Sequence, residues 1–342
     1  MNTVLVIGYG SIGRRHVLNL LNYTDFKIII FSKRKNIVKN DFKTISNDVL
    51  SNRLEISNSL DKILLKNPKI AFISNETSKH IAIALKLVKQ GIDIFIEKPL
   101  SNSLINIQKL EKIIHTKKLV SMIGCNFRFF PPFIEIKKLL NKKAIGKIYS
   151  IQIENGSYLP DWHPYEKYEK GYAARKILGG GVTLTQIHEL DYLCWFFGLP
   201  LEVTTVMDKV SNLELDVDDI NESILKFSNS SIAKIHLDFF QRPFYKSCKI
   251  KGSKGIISWN SDENKIKLFN LNKQKWNEHK ILNNYNISSN KNNQMYVDEL
   301  LYFLNCIKTR NQPMNNISEA KTIFNVALSM KKSSNLKKTI KI

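Results

Sequence analysis

The chain has 342 residues, 43% of them hydrophobic and 24% charged, with a formal charge of +22 at neutral pH. Its length exceeds what one hydrophobic core usually serves and its composition is that of an ordinary globular protein, so two domains are expected and disorder is excluded as the default. The basic excess is spread as lysine doublets over the whole chain, which reads as a solvated surface able to attract anions rather than as a nucleic-acid site.

The first apolar run, TVLVI at 3–7, is too short for a signal-peptide core and follows no basic leader, so it reads as a strand. No run approaches the roughly 18 apolar residues that a membrane span needs. Cys125, Cys194, Cys248 and Cys306 lie far apart without C-x-x-C spacing, which disfavours a disulfide framework or a zinc site and favours a reducing, cytoplasmic setting. Further apolar runs at 27–31, 69–74, 92–96 and 119–123, with a weaker one at Arg53–Ile56, alternate with helix-period segments such as Lys79–Gln90 and Ser103–Lys117. The alternation predicts a parallel sheet covered on both faces.

Between the first strand and the first helix stands GYGSIG, in which Gly8, Gly10 and Gly13 match G-x-G-x-x-G. In that setting Gly8 makes the tight turn, Gly10 admits a pyrophosphate to the backbone, and Gly13 lets the helix pack on the strand. The pyrophosphate would rest on the helix amino terminus, so dinucleotide binding is expected there. At the end of the second strand an NAD enzyme commonly carries an acid for the ribose hydroxyls, whereas this chain has Ser32, Lys33 and Arg34. Hydroxyl and cationic groups suit a 2′-phosphate, which favours NADP; if the two cations are merely part of the basic surface, NAD or dual use stays open.

The run Ile94–Ile96 ends abruptly at Glu97-Lys98-Pro99. In an open α/β sheet the ligand crevice lies beyond the carboxyl ends of the strands, so Lys98 is expected to face the cofactor, with Pro99 restricting the backbone and able to adopt a cis bond.

These features resemble the Gfo/Idh/MocA oxidoreductase family. The resemblance is carried by GYGSIGRRH with His16, by His80 ahead of a long helix, by FIEKP, and by GCNFRFFPP at 124–132. It implies a Rossmann domain, placed at residues 1–122, followed at 123–342 by a substrate-binding and oligomerisation domain with an open, mostly antiparallel sheet. It also implies hydride transfer between a nicotinamide and a carbon of a sugar, cyclitol or related molecule, and a homodimer or homotetramer. The cofactor residues that it implies are Gly8, Tyr9, Gly10, Ser11, Ile12, Gly13, Ser32, Lys33, Arg34, Asn75, His80, Glu97, Lys98, Asn126 and Arg128.

In the second domain, LGGGVTLTQIHELDYLCWFFG at 178–198 is expected to form one helix opened by Gly179–Gly181 and ended by Gly198 and Pro200. Ile187, Leu190, Cys194 and Phe197 make its apolar stripe, with His188 and Asp191 beside it. From the residues alone, His188 reads more readily as a structural histidine satisfied by Asp191 than as a site residue. The resemblance instead implies that His188 lies near the reacting carbon and the lysine of the E-K-P motif. The family's usual aspartate four residues before this histidine is Leu184 here, with Thr185 next to it, so a supporting carboxylate is not carried over. H-E-x-x-H requires a second histidine where Tyr192 stands, which excludes a zinc helix.

The mechanism expected is redox chemistry at a secondary carbinol, with His188 exchanging the hydroxyl proton and Lys98 hydrogen-bonding the same oxygen. Substrate contacts are expected from Lys98, Asn126, Thr185 and His188, and from Tyr158, Asp161, Trp162, His163 and Arg175 in an aromatic, polar block that suits a sugar or nucleotide-linked sugar. Two alternatives remain, a redox-assisted hydrolase or lyase that retains its nucleotide and a non-catalytic dinucleotide sensor. Six β-like runs from Lys147 to Trp259 predict the second sheet, helices are expected near 293–308 and 318–332, and Lys331–Ile342 reads as a basic tail.

Overall fold

The apolar runs of the first part of the chain become six strands. In chain order they and their helices are β1 (Thr3–Ile7), α1 (Ser11–Tyr23), β2 (Lys27–Phe31), α2 (Asn47–Arg53), β3 (Leu54–Ser57), α3 (Leu60–Leu64), β4 (Ile70–Ile73), α4 (His80–Lys89), β5 (Asp93–Glu97), α5 (Ile107–Thr116) and β6 (Ser121–Gly124). All pairings are parallel, in the order β3-β2-β1-β4-β5-β6. The order reverses between β1 and β4, and that switch point is where an open parallel sheet leaves a crevice at its carboxyl edge. Burial on both faces explains why these strands are continuously apolar: Ile94, Phe95 and Ile96 of β5 are fully buried, each contributing about 1.5–3 kcal/mol relative to exposure.

The structure is a computed structural model that describes residues 3–32, 42, 45–164, 166–279 and 293–342. Lys33 and Arg34, expected at the end of β2, lie outside the described residues. The chain divides into two units, 1–124 with 296–321 and 125–295 with 322–342.

The second unit contains α6 (Pro131–Asn141), β7 (Ile148–Gly156), α7 (Val182–Thr185), α8 (His188–Phe197), β8 (Glu202–Asp208), β9 (Ile220–Lys226), β10 (Ile232–Asp238), β11 (Tyr245–Gly252), β12 (Gly255–Asn260), β13 (Ile266–Asn270) and β14 (Lys275–His279). Two long helices follow, α9 (Gln294–Thr309) and α10 (Ile317–Leu336), then β15 (Ile340–Lys341). The sheet runs β14-β13-β12-β11-β7-β10-β9-β8-β15. It is mostly antiparallel, with β7 and β10 paired in parallel at its centre. Alternate residues of its strands are buried, including Ile151 and Ile153 of β7, Ala233 and Ile235 of β10, and Cys248 and Ile250 of β11. The FSNSSIAK segment makes the expected hairpin, with Ser230 at φ 67° and the Phe227 N–H donating to the Ser231 carbonyl at 3.0 Å.

Two expectations are corrected and one hairpin is added. The single helix over 178–198 is two helices, because the chain breaks at Gln186, whose side-chain amide donates to the Asp238 carbonyl at 2.9 Å and so ties this turn to the sheet. The basic tail is not a tail: α10 continues to Leu336, and Ile340 and Lys341 pair with Val203 and Glu202 of β8. Backbone pairing needs no apolar side chains at a sheet edge, so the lysines there gave no strand signal. The hairpin β13–β14 was missed for the same reason, since every residue of Lys275–Glu278 is exposed and no alternation marks the strand.

Candidate active site

In the first unit the glycine turn is built for close approach. Gly8 has φ 90°, and a Cβ there would come within 2.7 Å of the Ser74 carbonyl oxygen. A Cβ at Gly13 would strike the Gly8 carbonyl at 2.2 Å, so α1 can lie this close to the β1 turn only with glycine. Gly10 faces open space, with nothing within 4 Å of where its Cβ would be. The first turn of α1 carries no side-chain cap and no acidic residue, so no carboxylate competes for its free N–H groups. Ser11 is exposed at the helix start, Ile12 is half-buried, and Tyr9 is buried with its ring 6.1 Å from that of Phe42. Ser32 is buried at the end of β2, its N–H bonded to the Ser57 carbonyl.

Across the switch point, Asn75 follows β4 with its side-chain oxygen buried and lacking a hydrogen-bond partner among the described residues. These are the features that a dinucleotide phosphate and its neighbouring ribose require, so the residues present fit that cofactor.

His80 ties the two crevice loops together. Its Nδ1 lies 3.0 Å from the Pro99 carbonyl oxygen and its Nε2 lies 2.9 Å from that of Asn75. Burial pushes its pKa down, against the raising effect of these carbonyls.

At the end of β5 the Lys98–Pro99 bond is cis. Between Ile92 and Leu100, Lys98 is the one residue that is not buried. The buried Glu97 beside it meets His16 Nε2 at 2.7 Å through one carboxylate oxygen and accepts from the Lys98 N–H at 3.3 Å through the other. The His16 ring is enclosed by Phe72 and Phe95, centroids 5.0 and 5.1 Å away. Glu97 therefore braces the Lys98 backbone from inside the sheet, a link between α1 and β5 that the separate motifs did not announce.

The second unit places Asn126, Phe127 and Arg128 in a buried turn ahead of α6. The Asn126 amide meets Met295 Sδ at 3.3 Å, while its carbonyl oxygen is buried without a hydrogen-bond partner among the described residues. Arg128 donates to both carboxylate oxygens of Asp191, at 2.9 and 2.8 Å. Asp191 is thus spent on Arg128 rather than on His188, which corrects the simple picture of a histidine satisfied by its own i+3 acid. Thr185 is buried at the end of α7. His188 opens α8 half-buried, its ring edge-on to Phe127 with centroids 4.9 Å apart.

The block at 158–175 is docked rather than loose. Arg242 holds Asp161 with two hydrogen bonds, at 2.8 and 2.6 Å, and lies 3.6 Å over the Tyr158 ring. That bidentate bond lowers the Asp161 pKa. Trp162 packs edge-on to Phe239, its indole N–H on Ser157 at 3.1 Å. His163 is half-exposed in the turn that follows. Arg175 donates to the Glu169 carbonyl and lies 3.9 Å from Asp216, so part of its charge is already engaged. Arg242 was not foreseen, and nothing local marks it.

The NAD-binding Rossmann-fold model of an oxidoreductase family matches residues 2–125, and the GFO/IDH/MocA C-terminal domain model matches residues 133–258. The chain belongs to the GFO/IDH/MocA oxidoreductase family. Among curated members, it is 24% identical to levoglucosan dehydrogenase of Pseudarthrobacter phenanthrenivorans, an alignment covering 60% of this chain and 59% of that protein, so the chain spans under two thirds of that relative. It is 24% identical to myo-inositol 2-dehydrogenase of Thermotoga maritima, over 98% of this chain and 97% of that one. Of the GFO/IDH/MocA structures, levoglucosan dehydrogenase in complex with NADH matches with a TM-score of 0.83 at 16% identity, covering 100% of this chain and 99% of that one. At that identity the likeness speaks to the fold.

Proposed function

We propose that this family member is an NAD(P)-dependent oxidoreductase acting on a secondary carbinol or ketone carbon of a sugar, cyclitol or nucleotide-linked sugar. The observation that carries the reading is Lys98: a half-exposed cation at the carboxyl end of a wholly buried strand, beside the switch point, with its backbone braced by Glu97. The relatives named for myo-inositol and levoglucosan support the substrate class.

When bound, the nicotinamide supplies the hydride acceptor in one direction and the donor in the other. In the oxidative direction His188 takes the hydroxyl proton as the carbinol C–H bond breaks, and Lys98 donates a hydrogen bond to the same oxygen while negative charge develops on it. Gly8–Gly13 and the start of α1 would hold the phosphates. Asn126, Thr185 and the Tyr158–Arg175 block orient the substrate. Ser32, Lys33 and Arg34, with no acid among them, favour NADP over NAD.

The test is a titration with NADPH and NADH, then turnover against a panel of sugars, cyclitols and nucleotide sugars, with Lys98→Met beside the wild type. The expected result is nucleotide binding by both proteins and turnover by the wild type alone, Lys98→Met falling at least ~10²-fold. Wild-type turnover by Lys98→Met would overturn the role of Lys98. Tight binding without net nucleotide turnover would favour the nucleotide-retaining lyase.

A further inference from the structure

Strand β11 points Lys246, Cys248 and Ile250 toward the buried face of its sheet, and at the first of these positions an apolar residue is expected. Lys246 is instead 3% exposed. Its ammonium meets the carboxylate of the fully buried Glu189, and the same nitrogen lies 3.9 Å from the centroid of the Phe127 ring. The Phe127 ring in turn lies against His188, and His188 is joined to Glu189 by a peptide bond.

The contacts close a cycle: Lys246 to Glu189, Glu189 through the chain to His188, His188 to Phe127, and Phe127 back to Lys246. Arg128 and Asp191 form a second clamp between the same two segments. A buried ion pair is a costly way to add stability, because desolvation offsets most of the attraction, and an apolar pair of similar volume would do as well. What the pair adds is a fixed geometry. A cation over an aromatic face restricts where that ring sits, and the ring in turn limits the rotamers open to the half-buried imidazole packed against it.

We propose that Lys246, neutralised by Glu189, is a positioning residue for His188, acting through the Phe127 ring. This rests on the reading of His188 as the proton-exchanging group. Lys246 touches neither substrate nor cofactor in this role; it sets the plane in which the imidazole meets the reacting oxygen.

The test observes His188 directly in the full-length protein. With ¹⁵N-labelled histidine, the His188 ring signals are identified as those lost in His188→Gln, and then compared in the Lys246→Met/Glu189→Gln double variant and in Phe127→Leu. The double variant removes both charges, so no unpaired buried ion remains to unfold the protein, and a cooperative thermal melt checks this. The expected result is that both variants change the His188 ring shifts, through lost ring current or altered rotamer. With any panel carbinol that the wild type turns over, kcat should drop by roughly 10- to 100-fold with little change in KM, the penalty of a misplaced catalytic group. His188 signals identical to wild type in a folded double variant would overturn the proposal. Should that variant not fold, unchanged signals in Phe127→Leu would overturn it equally. Wild-type turnover by His188→Gln would overturn the catalytic reading itself, whereas unchanged resonances together with a turnover loss in His188→Gln would overturn the positioning role alone.

Discussion

The turn around Gly8 and the start of α8 both present candidate site residues, but they are held by opposite means. Around Gly8 the support is steric and apolar: glycines that admit no Cβ, and strands that are buried on both faces. Around His188 the support is ionic and aromatic, with the buried pairs Arg128–Asp191 and Lys246–Glu189 and with the Lys246 ammonium over the Phe127 ring. Steric support fails where backbone cannot give way, as at Gly13, whose added Cβ would lie 2.2 Å from the Gly8 carbonyl oxygen. Ionic support fails abruptly, because removing one partner leaves a charge in a medium that cannot solvate it.

That difference can be broken open by mutation. The largest effect is expected for Arg128→Met, which strands Asp191 and should cost about 3–5 kcal/mol in denaturant unfolding; adding Asp191→Leu should recover much of the loss. A cost under 1 kcal/mol for the single variant would show that the pair is solvated in solution. Next comes Gly13→Val, where the added side chain meets the Gly8 carbonyl and Ser74 Oγ. It should cost about 1–3 kcal/mol and should weaken binding of NADH and NADPH alike, read by fluorescence titration.

Lys33→Ala with Arg34→Ala should weaken NADPH binding about tenfold, close to 1.4 kcal/mol, and leave NADH unchanged. Equal loss of both nucleotides would assign these cations to the general basic surface.

The smallest effect sharpens the comparison from a third place, the central strands of the second sheet. His236 lies between Asp238 Oδ2 at 3.0 Å and Glu222 Oε1 at 2.6 Å, with Lys234 also 3.5 Å from Glu222. The hydrogen bond to Asp238, and after it that to Glu222, raises its pKa from 6.5 to about 9 against the opposing effect of burial. A raised folded-state pKa means that the native state binds the proton more tightly. This stabilisation is therefore complete below pH 6.5 and is lost as the pH rises toward 9. His236→Gln should flatten the decline in thermal midpoint across that window. An identical decline in both proteins would show that His236 is not its source.

Much of the first unit was legible in advance because its signals are local. A strand buried on both faces must be continuously apolar, and a tight turn before a helix must contain glycine at particular spacings, so Gly8, Gly10, Gly13 and Lys98 could be picked out by neighbours in the chain. The second unit was legible as a run of strands but not in its details. The break at Gln186 depends on a carbonyl of Asp238, 52 residues later in the chain. The hairpin β13–β14 and the strand β15 lie where polar side chains hide a regular backbone.

The sequence by itself therefore determined the order of strands and helices, the dinucleotide turn and the place of Lys98, because steric exclusion and periodic burial act between residues a few positions apart. Only the tertiary structure decided which acid each buried basic side chain meets: His16 finds Glu97 across 81 positions, Arg128 finds Asp191 across 63, and Lys246 finds Glu189 across 57. No local preference encodes those choices. They follow from which elements the folded core brings face to face, and from the cost of leaving a buried polar or charged group there without its partner.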